Sequence, residues 1–502
     1  MGVAVKPIAR PTDLYTRERS NDLQRVHRNL DPSIRPQEKA TELVRALNAA
    51  KLDKIFARPY VWAMDGHIDG ISSMAKNPKQ LKGLFSGSMD GDIRLWDLAN
   101  RRTICKFAGH NGAVRGLTVS SDGRVLVSCG TDATVKLWSV PVPSFMQPDY
   151  SSDNKEPLAD YTGKNAFWAV DHQWGGELFA TAGAQVDIWN HNRHHPVNSF
   201  EWGKDTAISV RFNPGEPNIL AASASHLQLR SIYLLTGYVY TDCFSYIISH
   251  EFGGAKLLLY LCNGSDRSIT IYDLRVSSPA IKIIMRKNLR CSKMFTKTNS
   301  IAWNPIEPMN FTAANEDSNC YSYDARKLRE SRCVHKDHVS AVMDIDYSPT
   351  GREFVTGSYD RSIRIFPYNG GHSREVYHTK RMQRVFCVKF SGDGSYVISG
   401  SDDTNVRLWK AKASEQMGVL LPRERRKHAY DEAVKKRYRH LADVKRIDRH
   451  RHLPRAIYKA ASLKRIMADA ERTKQARKRA HSAPGSMPME PLRKKRIVKV
   501  FK

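Results

Sequence analysis

Ser86-Gly87-Ser88-Met89-Asp90-Gly91-Asp92-Ile93-Arg94-Leu95-Trp96-Asp97 reads as the end of one strand, a tight turn, and a second strand of alternating apolar and polar residues. An aspartate sits in the turn and an indole follows six positions later. The same order returns as Ser128-Cys129-Gly130-Thr131-Asp132 leading to Trp138, and as Thr356-Gly357-Ser358-Tyr359-Asp360 leading to Phe366. It closes with Ser399-Gly400-Ser401-Asp402-Asp403 leading to Trp409, and weaker copies end at Trp189, Tyr272 and Tyr323. Seven such anchors, with a repeat of about 40–45 residues where the pattern is strongest, predict an all-β fold: a seven-bladed β-propeller in which each small sheet buries its faces against its neighbours.

The anchor spacing sets the blade lengths. Successive intervals are 42, 51, 83, 51, 43 and 43 residues, so one is nearly double the rest. Between His226 and Gly264 no turn aspartate precedes an aromatic at the right distance. Removing that stretch would join Ala222-Ser223-Ala224-Ser225 to Ser265-Asp266-Arg267-Ser268-Ile269-Thr270-Ile271-Tyr272 as a normal blade. Residues 226–264 therefore read as an insertion in blade four, between its second and third strands, with a Leu/Tyr/Ile-rich content unusual for a surface loop. Upstream, Tyr60-Val61-Trp62-Ala63-Met64 alternates like a strand and is expected to pair with the strands ending at Trp409, closing the ring and removing two sheet edges. The WD-repeat propeller so defined spans 59–410. An N-terminal extension, 1–58, carries a short helix near Thr41–Ala50 with Leu43, Val44 and Leu47 on one face, expected to pack on the outside of the ring. A C-terminal region, 411–502, has helical texture over 423–447 and 455–480, with Pro454 suited to the first turn of the second helix.

Charge is distributed unevenly. Of the net +29, residues 411–502 carry +19 (28 basic, 9 acidic) and residues 1–58 carry +5 (12 basic, 7 acidic), leaving the long repeat region nearly neutral. A neutral body with a strongly basic tail points to a polyanionic partner, most economically nucleic acid; the bland alternative is a solvated tail. Eight cysteines lie scattered without a C-x-x-C pair, so neither a disulfide framework nor a zinc site is indicated, and a reducing compartment fits. The N-terminus lacks the pattern of a secretory signal, and no charge-free apolar run reaches the ~18 residues of a membrane span.

His67 with Asp90, and His110 with Asp132, could suggest acid–base chemistry. In WD repeats, however, this histidine, the turn aspartate, a Ser or Thr and the strand Trp form an internal hydrogen-bonded set that satisfies buried polar atoms. The expected structural sets are His67, Ser86, Asp90 and Trp96; His110, Ser128, Asp132 and Trp138; His338, Thr356 and Asp360, where Phe366 lacks an indole donor; and Asp403 with Trp409. Blade three has Gly183 at the aspartate position, so apolar packing must hold it. No phosphate loop, nucleophile elbow or metal-ligand spacing is present, and neither catalysis nor a cofactor is expected.

Two features suggest binding. Tyr272-Asp273-Leu274-Arg275 and Tyr323-Asp324-Ala325-Arg326 repeat an aromatic-Asp-x-Arg pattern similar to the motif by which WD proteins engage the propeller adaptor of cullin-RING ubiquitin ligases. The pattern also arises in propellers wherever Asp and Arg pair near a strand end. The second feature is the run Lys445-Arg446-Ile447-Asp448-Arg449-His450-Arg451-His452-Leu453-Pro454-Arg455, joined later by Lys494-Lys495-Arg496. Contacts to about 6–10 phosphates would lose ~10³–10⁵ in affinity between 50 and 200 mM salt. His450 and His452 as a metal pair is a weak rival, since no third ligand is near.

On these residues the chain resembles the Sof-type WD-repeat family. The resemblance covers nearly the whole length, through Asp22-Leu23-Gln24-Arg25-Val26, Arg45-Ala46-Leu47-Asn48-Ala49, Phe311-Thr312-Ala313-Ala314-Asn315-Glu316-Asp317, Tyr377-His378-Thr379-Lys380-Arg381-Met382-Gln383 and the Arg449–Pro454 run. It departs from the family in 226–264 and around Arg286–Phe295. The resemblance implies a nucleolar, nuclear component of the small-subunit processome, associated with pre-ribosomal RNA, a box C/D small nucleolar ribonucleoprotein and other assembly proteins, with no membrane partner. Animal members are also described as substrate receptors of cullin-RING ligases, which would use Asp273, Arg275, Asp324 and Arg326.

Overall fold

A computed structural model describes residues 37–140, 156–200, 206–225, 247–252, 255–260, 268–274, 279–285, 297–483, 485–487, 491–495 and 497–501. Two compact units divide the chain: Met1–Pro59 with Lys412–His452, and Tyr60–Ala411 with Leu453–Lys502.

The second unit is the seven-bladed propeller, each blade an antiparallel sheet whose four propeller strands run from the channel outwards. All seven anchors are buried, from Tyr323 and Phe366 at 0% exposure to Tyr272 at 4%. Every one is contributed by the third strand of its blade, where alternate side chains fill the space between sheets. Tyr60–Met64 pairs antiparallel with Val406–Lys410, so the first strand of the ring completes the last blade. In blade four, Ile219–Ser225 pairs directly with Ser268–Asp273; the intervening Ile247–Phe252 and Ala255–Tyr260 pair only with each other, as a separate hairpin.

The innermost strands share a device that alternation alone does not reveal. In six blades the register shifts near the start of the first strand, at Ile71/Ser73, Val114/Gly116, Ala207/Ser209, Thr298/Ser300, Val342/Asp344 and Val385/Cys387. The skipped residues, Ser72, Arg115, Ile208, Asn299, Met343 and Phe386, all line the central channel. A bulge inserts one residue and re-aims its side chain, which is how a strand edge becomes a channel wall. Two of these residues clip neighbouring blades together: Asn299 Nδ2 donates to the Val342 carbonyl at 2.7 Å, and the Ser72 hydroxyl donates to the Val114 carbonyl. Inner-strand aspartates do the same, with Phe212 N donating to Asp171 at 2.7 Å and Phe390 N to Asp346 at 2.8 Å.

The C-terminal chain adds to this unit. Helix α4 (Arg455–Ala480) holds the propeller through Lys464, whose ammonium donates to the His338 carbonyl at 3.0 Å and to the Ser318 hydroxyl. Farther on, Ser331 donates its N–H and its hydroxyl to the Arg493 carbonyl, both at 3.1 Å. The last strand, Ile497–Phe501, then pairs with Pro279–Met285 and becomes a fifth strand on blade four. It covers the outer edge of that blade, which would otherwise present unpaired backbone groups. Deleting 497–502 is expected to speed amide exchange in Pro279–Met285 by at least tenfold; unchanged protection there would show that the strand covers nothing.

In the first unit, three helices pack together: α1 (Glu38–Ile55), α2 (Pro422–Arg437) and α3 (Ala442–Arg449). The stripe that α1 buries is Glu42, Ala46, Ala49 and Ala50, while Val44 is 54% exposed. Of the expected face of Leu43, Val44 and Leu47, Leu43 and Leu47 pack half-buried against the cluster while Val44 faces water, and the small Ala46 lies in the cluster with the valines of α2 and α3, permitting close approach. Glu42 is satisfied by the Tyr438 hydroxyl at 2.8 Å and Arg437 at 3.3 Å. The single helix expected over 423–447 is broken at Tyr438–Leu441. Val434 and Val444 both join Ala46 in one buried cluster. Ten residues apart, they would lie ~15 Å from each other along an unbroken helix, too far to share that alanine. By contacts the C-terminal region is shared: Lys412–His452 groups with the N-terminal helix and Leu453–Lys502 with the propeller.

Candidate functional site

The candidate nucleic-acid interface is built on α3. Lys445, Arg446 and Arg449 project from one side of this helix at i, i+1 and i+4, and all three are exposed, as is His450 just beyond. The opposite side carries the buried Val444, so packing against α1 fixes which side faces water. Arg451 differs from its neighbours. It turns back, donating to the carbonyls of Asp448 and His450 (2.9 Å to the latter), and so caps the helix C-terminus instead of reaching outward. His452 is exposed at the end of this unit. Arg455 is exposed at the start of α4, in the other unit. Lys494 is half-exposed, 3.9 Å from Glu330. Lys495 lies in a short helical turn, and Arg496 is outside the described residues. Among the described residues no group of His, Cys, Asp or Glu could hold a metal ion, and no helix is long and apolar enough to cross a membrane.

The aromatic-Asp-x-Arg pattern is structural in blade five. Asp324 accepts from Arg326 N at 3.0 Å and from its Nε at 3.2 Å, pinning the turn after the third strand, while the guanidinium remains 70% exposed. This contact holds the Asp324 carboxyl below its usual range despite the opposing effect of burial. Asp273 occupies the same register in blade four, opposite Ile219 as Asp324 is opposite Asn310. Arg275 lies outside the described residues.

The histidine sets form directed chains. In blade two, Trp138 Nε1 donates to the Ser128 hydroxyl at 2.9 Å, and that hydroxyl lies 2.8 Å from His110 Nε2. His110 Nδ1 lies 3.0 Å from Asp132. A carboxylate only accepts, so Nδ1 carries the hydrogen and Nε2 accepts from serine. Burial holds the pKa of His110 below its usual value, and the ring stays neutral. Blade six repeats this with His338, Asp360 at 2.9 Å and Thr356 at 2.7 Å, while Phe366 stacks on Phe354 in place of an indole donor.

Two expected sets are built differently. In blade one, Trp96 and His67 each lie 2.6 Å from the Ser86 hydroxyl, but His67 Nδ1 is buried without a hydrogen-bond partner. Asp90 is committed to its own turn, accepting from Asp92 N at 3.0 Å, and Arg94 occupies the space over Gly66 beside the imidazole. In blade seven, Trp409 donates to Ser399 at 2.9 Å, and Asp403 binds Arg407 Nη1 at 2.9 Å where other blades offer a histidine. Blade five holds a set that the sequence pattern does not announce: His335 Nε2 lies 2.9 Å from Ser322 and its Nδ1 lies 2.6 Å from the Gly370 carbonyl, joining blades five and six. The signal for it is a lone histidine on an outer strand, thirteen residues after a serine. The hydroxyls of these chains, on Ser86, Ser128, Ser322 and Thr356, are fully buried. The thiols of Cys129, Cys320 and Cys387 are buried and their pKa values pushed far up, leaving no reactive thiolate there.

The fold and its helical extension define a WD-repeat propeller protein, and similarity to known proteins places it within that class. The WD domain, G-beta repeat, matches residues 59–97, 101–139, 330–366 and 373–410, the regions of the stronger anchors. The Sof1-like domain matches residues 411–497. The chain is 43% identical over 496 residues to DDB1- and CUL4-associated factor 13 of Xenopus tropicalis, covering 99% of each. It is 43% identical over 498 residues to the Homo sapiens protein of that name, covering 99% of this chain and 100% of the other. To Protein SOF1 of Saccharomyces cerevisiae it is 41% identical over 511 residues, covering 98% of this chain and 94% of the other. The chain belongs to the Sof1-type WD-repeat family.

Proposed function

We propose that this protein is a non-catalytic scaffold of the small-subunit processome, acting in the nucleolus in pre-rRNA processing, 18S rRNA maturation and small ribosomal subunit biogenesis. The observation that carries the reading is the exposed cationic side of α3, where Lys445, Arg446 and Arg449 stand clear of the packed core. Pre-ribosomal RNA and the box C/D small nucleolar ribonucleoprotein are its intended partners, and the mechanism is placement: phosphate contacts fix position without reading bases. The triple variant Lys445→Glu, Arg446→Glu, Arg449→Glu is expected to bind a single-stranded pre-rRNA fragment at least tenfold more weakly at 50 mM salt. Its log K against log[salt] slope should become shallower by about 0.7 for each phosphate that the variant no longer neutralises. An unaltered slope would remove this face from the interface, and intact sedimentation with pre-ribosomes would count against the scaffold.

A second reading is a substrate receptor of a cullin-RING ubiquitin ligase. It is favoured by the exposed Arg326 guanidinium, held ready by Asp324, and by the name of the vertebrate relatives. Arg326→Ala is expected to abolish co-purification with the ligase's propeller adaptor while leaving rRNA processing intact; persistent co-purification would exclude this site.

A further inference from the structure

Helix α4 meets the propeller through Lys464, and its Ile457 is buried. Its other side carries Leu463, Ile466 and Met467 at 59%, 62% and 60% exposure. These residues and Ala470 fall at i, i+3, i+4 and i+7, a continuous apolar ridge along one side. Such a ridge on a helix already held in place marks an interaction surface. Beyond Ala470 it runs into a groove lined by Thr473, Lys474, Arg477, Lys478 and His481. Lys459 stands at the near end on the same side. The two acidic residues of α4 are committed within the helix, Asp469 to Arg472 at 3.2 Å and Glu471 to Gln475 at 3.1 Å. The ridge is therefore apolar along its middle, with a single cation at its near end and a cluster of cations at its far end.

We propose that this side of α4 docks a protein partner presenting an amphipathic helix, with apolar residues at helical spacing followed by a carboxylate cluster. The inference rests on the scaffold reading and gives it a protein contact distinct from the phosphate contacts of α3. RNA is a poor occupant: sugar and phosphate leave aliphatic side chains in water, and the one aromatic of α4, Tyr458, lies on another side of the helix, so the ridge offers no stacking platform. Helix-in-groove recognition reads i, i+3, i+4, i+7 anchors, and opposite charge on the flank fixes the direction of the partner.

The test uses the full chain and two synthetic 18-residue helical peptides with leucines at i, i+3, i+4 and i+7. One ends in a glutamate cluster and the other in a lysine cluster. The glutamate peptide is expected to bind at least tenfold more tightly than the lysine peptide. Leu463→Glu, Ile466→Glu, Met467→Glu together should weaken it at least tenfold, and Lys474→Glu with Arg477→Glu should erase the preference between the peptides. These positions face water, so circular dichroism and the melting temperature should not change. Equal affinity for the two peptides, or an unaffected triple variant, overturns the proposal. Ridge-dependent binding of poly-uridine or of phosphatidylserine vesicles, with no peptide binding, overturns it in favour of those ligands. If the peptide binds through the ridge but the intact protein fails to sediment with pre-ribosomes, the ridge stands and the scaffold reading falls. If the protein sediments and the peptide does not bind, the ridge falls alone.

Discussion

Asp360→Ala is expected to destabilise the propeller by roughly 3 kcal/mol or more, because it strips the acceptor from several buried donors at once. The side chain is 3% exposed and accepts from four donors: His338 Nδ1 at 2.9 Å, Val339 N at 3.2 Å, Ser362 N at 3.0 Å and the Ser362 hydroxyl at 2.5 Å. Alanine leaves buried donors without an acceptor, and each such group costs about 1–3 kcal/mol. The same carboxylate also lies near Lys464, so its loss should loosen α4. Asp90→Ala is the control. Asp90 is exposed, accepts from Asp92 N within its own turn and leaves His67 Nδ1 without a hydrogen bond, so its removal should cost less than about 1 kcal/mol. Urea unfolding of both variants checks the contrast, and equal midpoints would refute the account of the histidine chains.

Acid should weaken the protein well before its carboxylates titrate. Burial lowers the pKa of His67 and of His335 to about 4 from an ordinary 6.5. Arg94 adds to the effect at His67, while the Gly370 carbonyl partly opposes it at His335. Each ring is neutral in the folded protein at pH values where the unfolded chain takes up a proton. The unfolded state therefore binds more protons between pH 6.5 and 4. The associated stability is fully present above pH 6.5 and is lost as the pH falls towards 4, roughly 3 kcal/mol for each histidine. His110 and His338 are shifted in the same direction. The depressed carboxyl of Asp360 acts in a separate window, since its contribution is lost only at pH values below the ordinary carboxylate range. Unfolding midpoints measured from pH 7 to 4.5 should fall steadily, and His335→Gln should flatten that slope while lowering stability at pH 7. A flat wild-type profile would show that the rings are charged, or solvated, in the native state.

The blades are legible because their signal is redundant: a turn aspartate, an alternating strand and a large aromatic recur together, and ring closure through Tyr60–Met64 follows from the need to cover two edges. The channel lining is not legible. A bulge adds one residue without changing composition, so nothing marks Arg115 or Phe386 as different from its neighbours. Lys464 reads as one more solvated cation until the helix carrying it is placed on Ser318 and His338. Ile497–Phe501 does alternate like a strand, but the preceding Lys494-Lys495-Arg496 dominates that stretch with charge. The α3 face is half-legible. The sequence shows the cluster of cations, but only the structure separates Lys445, Arg446 and Arg449, which face water, from Arg451, which is spent on capping a helix.

Pairing the first strand of the ring with the last blade also governs how the molecule is made. More than 340 residues separate Met64 from Val406. At a translation rate of about 5–20 residues per second, Tyr60–Met64 waits roughly 20–70 s on the ribosome for its partner. Blades can stack in order as they emerge, but until then the nascent arc keeps two raw ends. Blade four waits too, since more than 200 residues separate Met285 from the strand Ile497–Phe501 that covers it. A propeller built this way exposes its unpaired strand edges most during its own synthesis, before the ring can close.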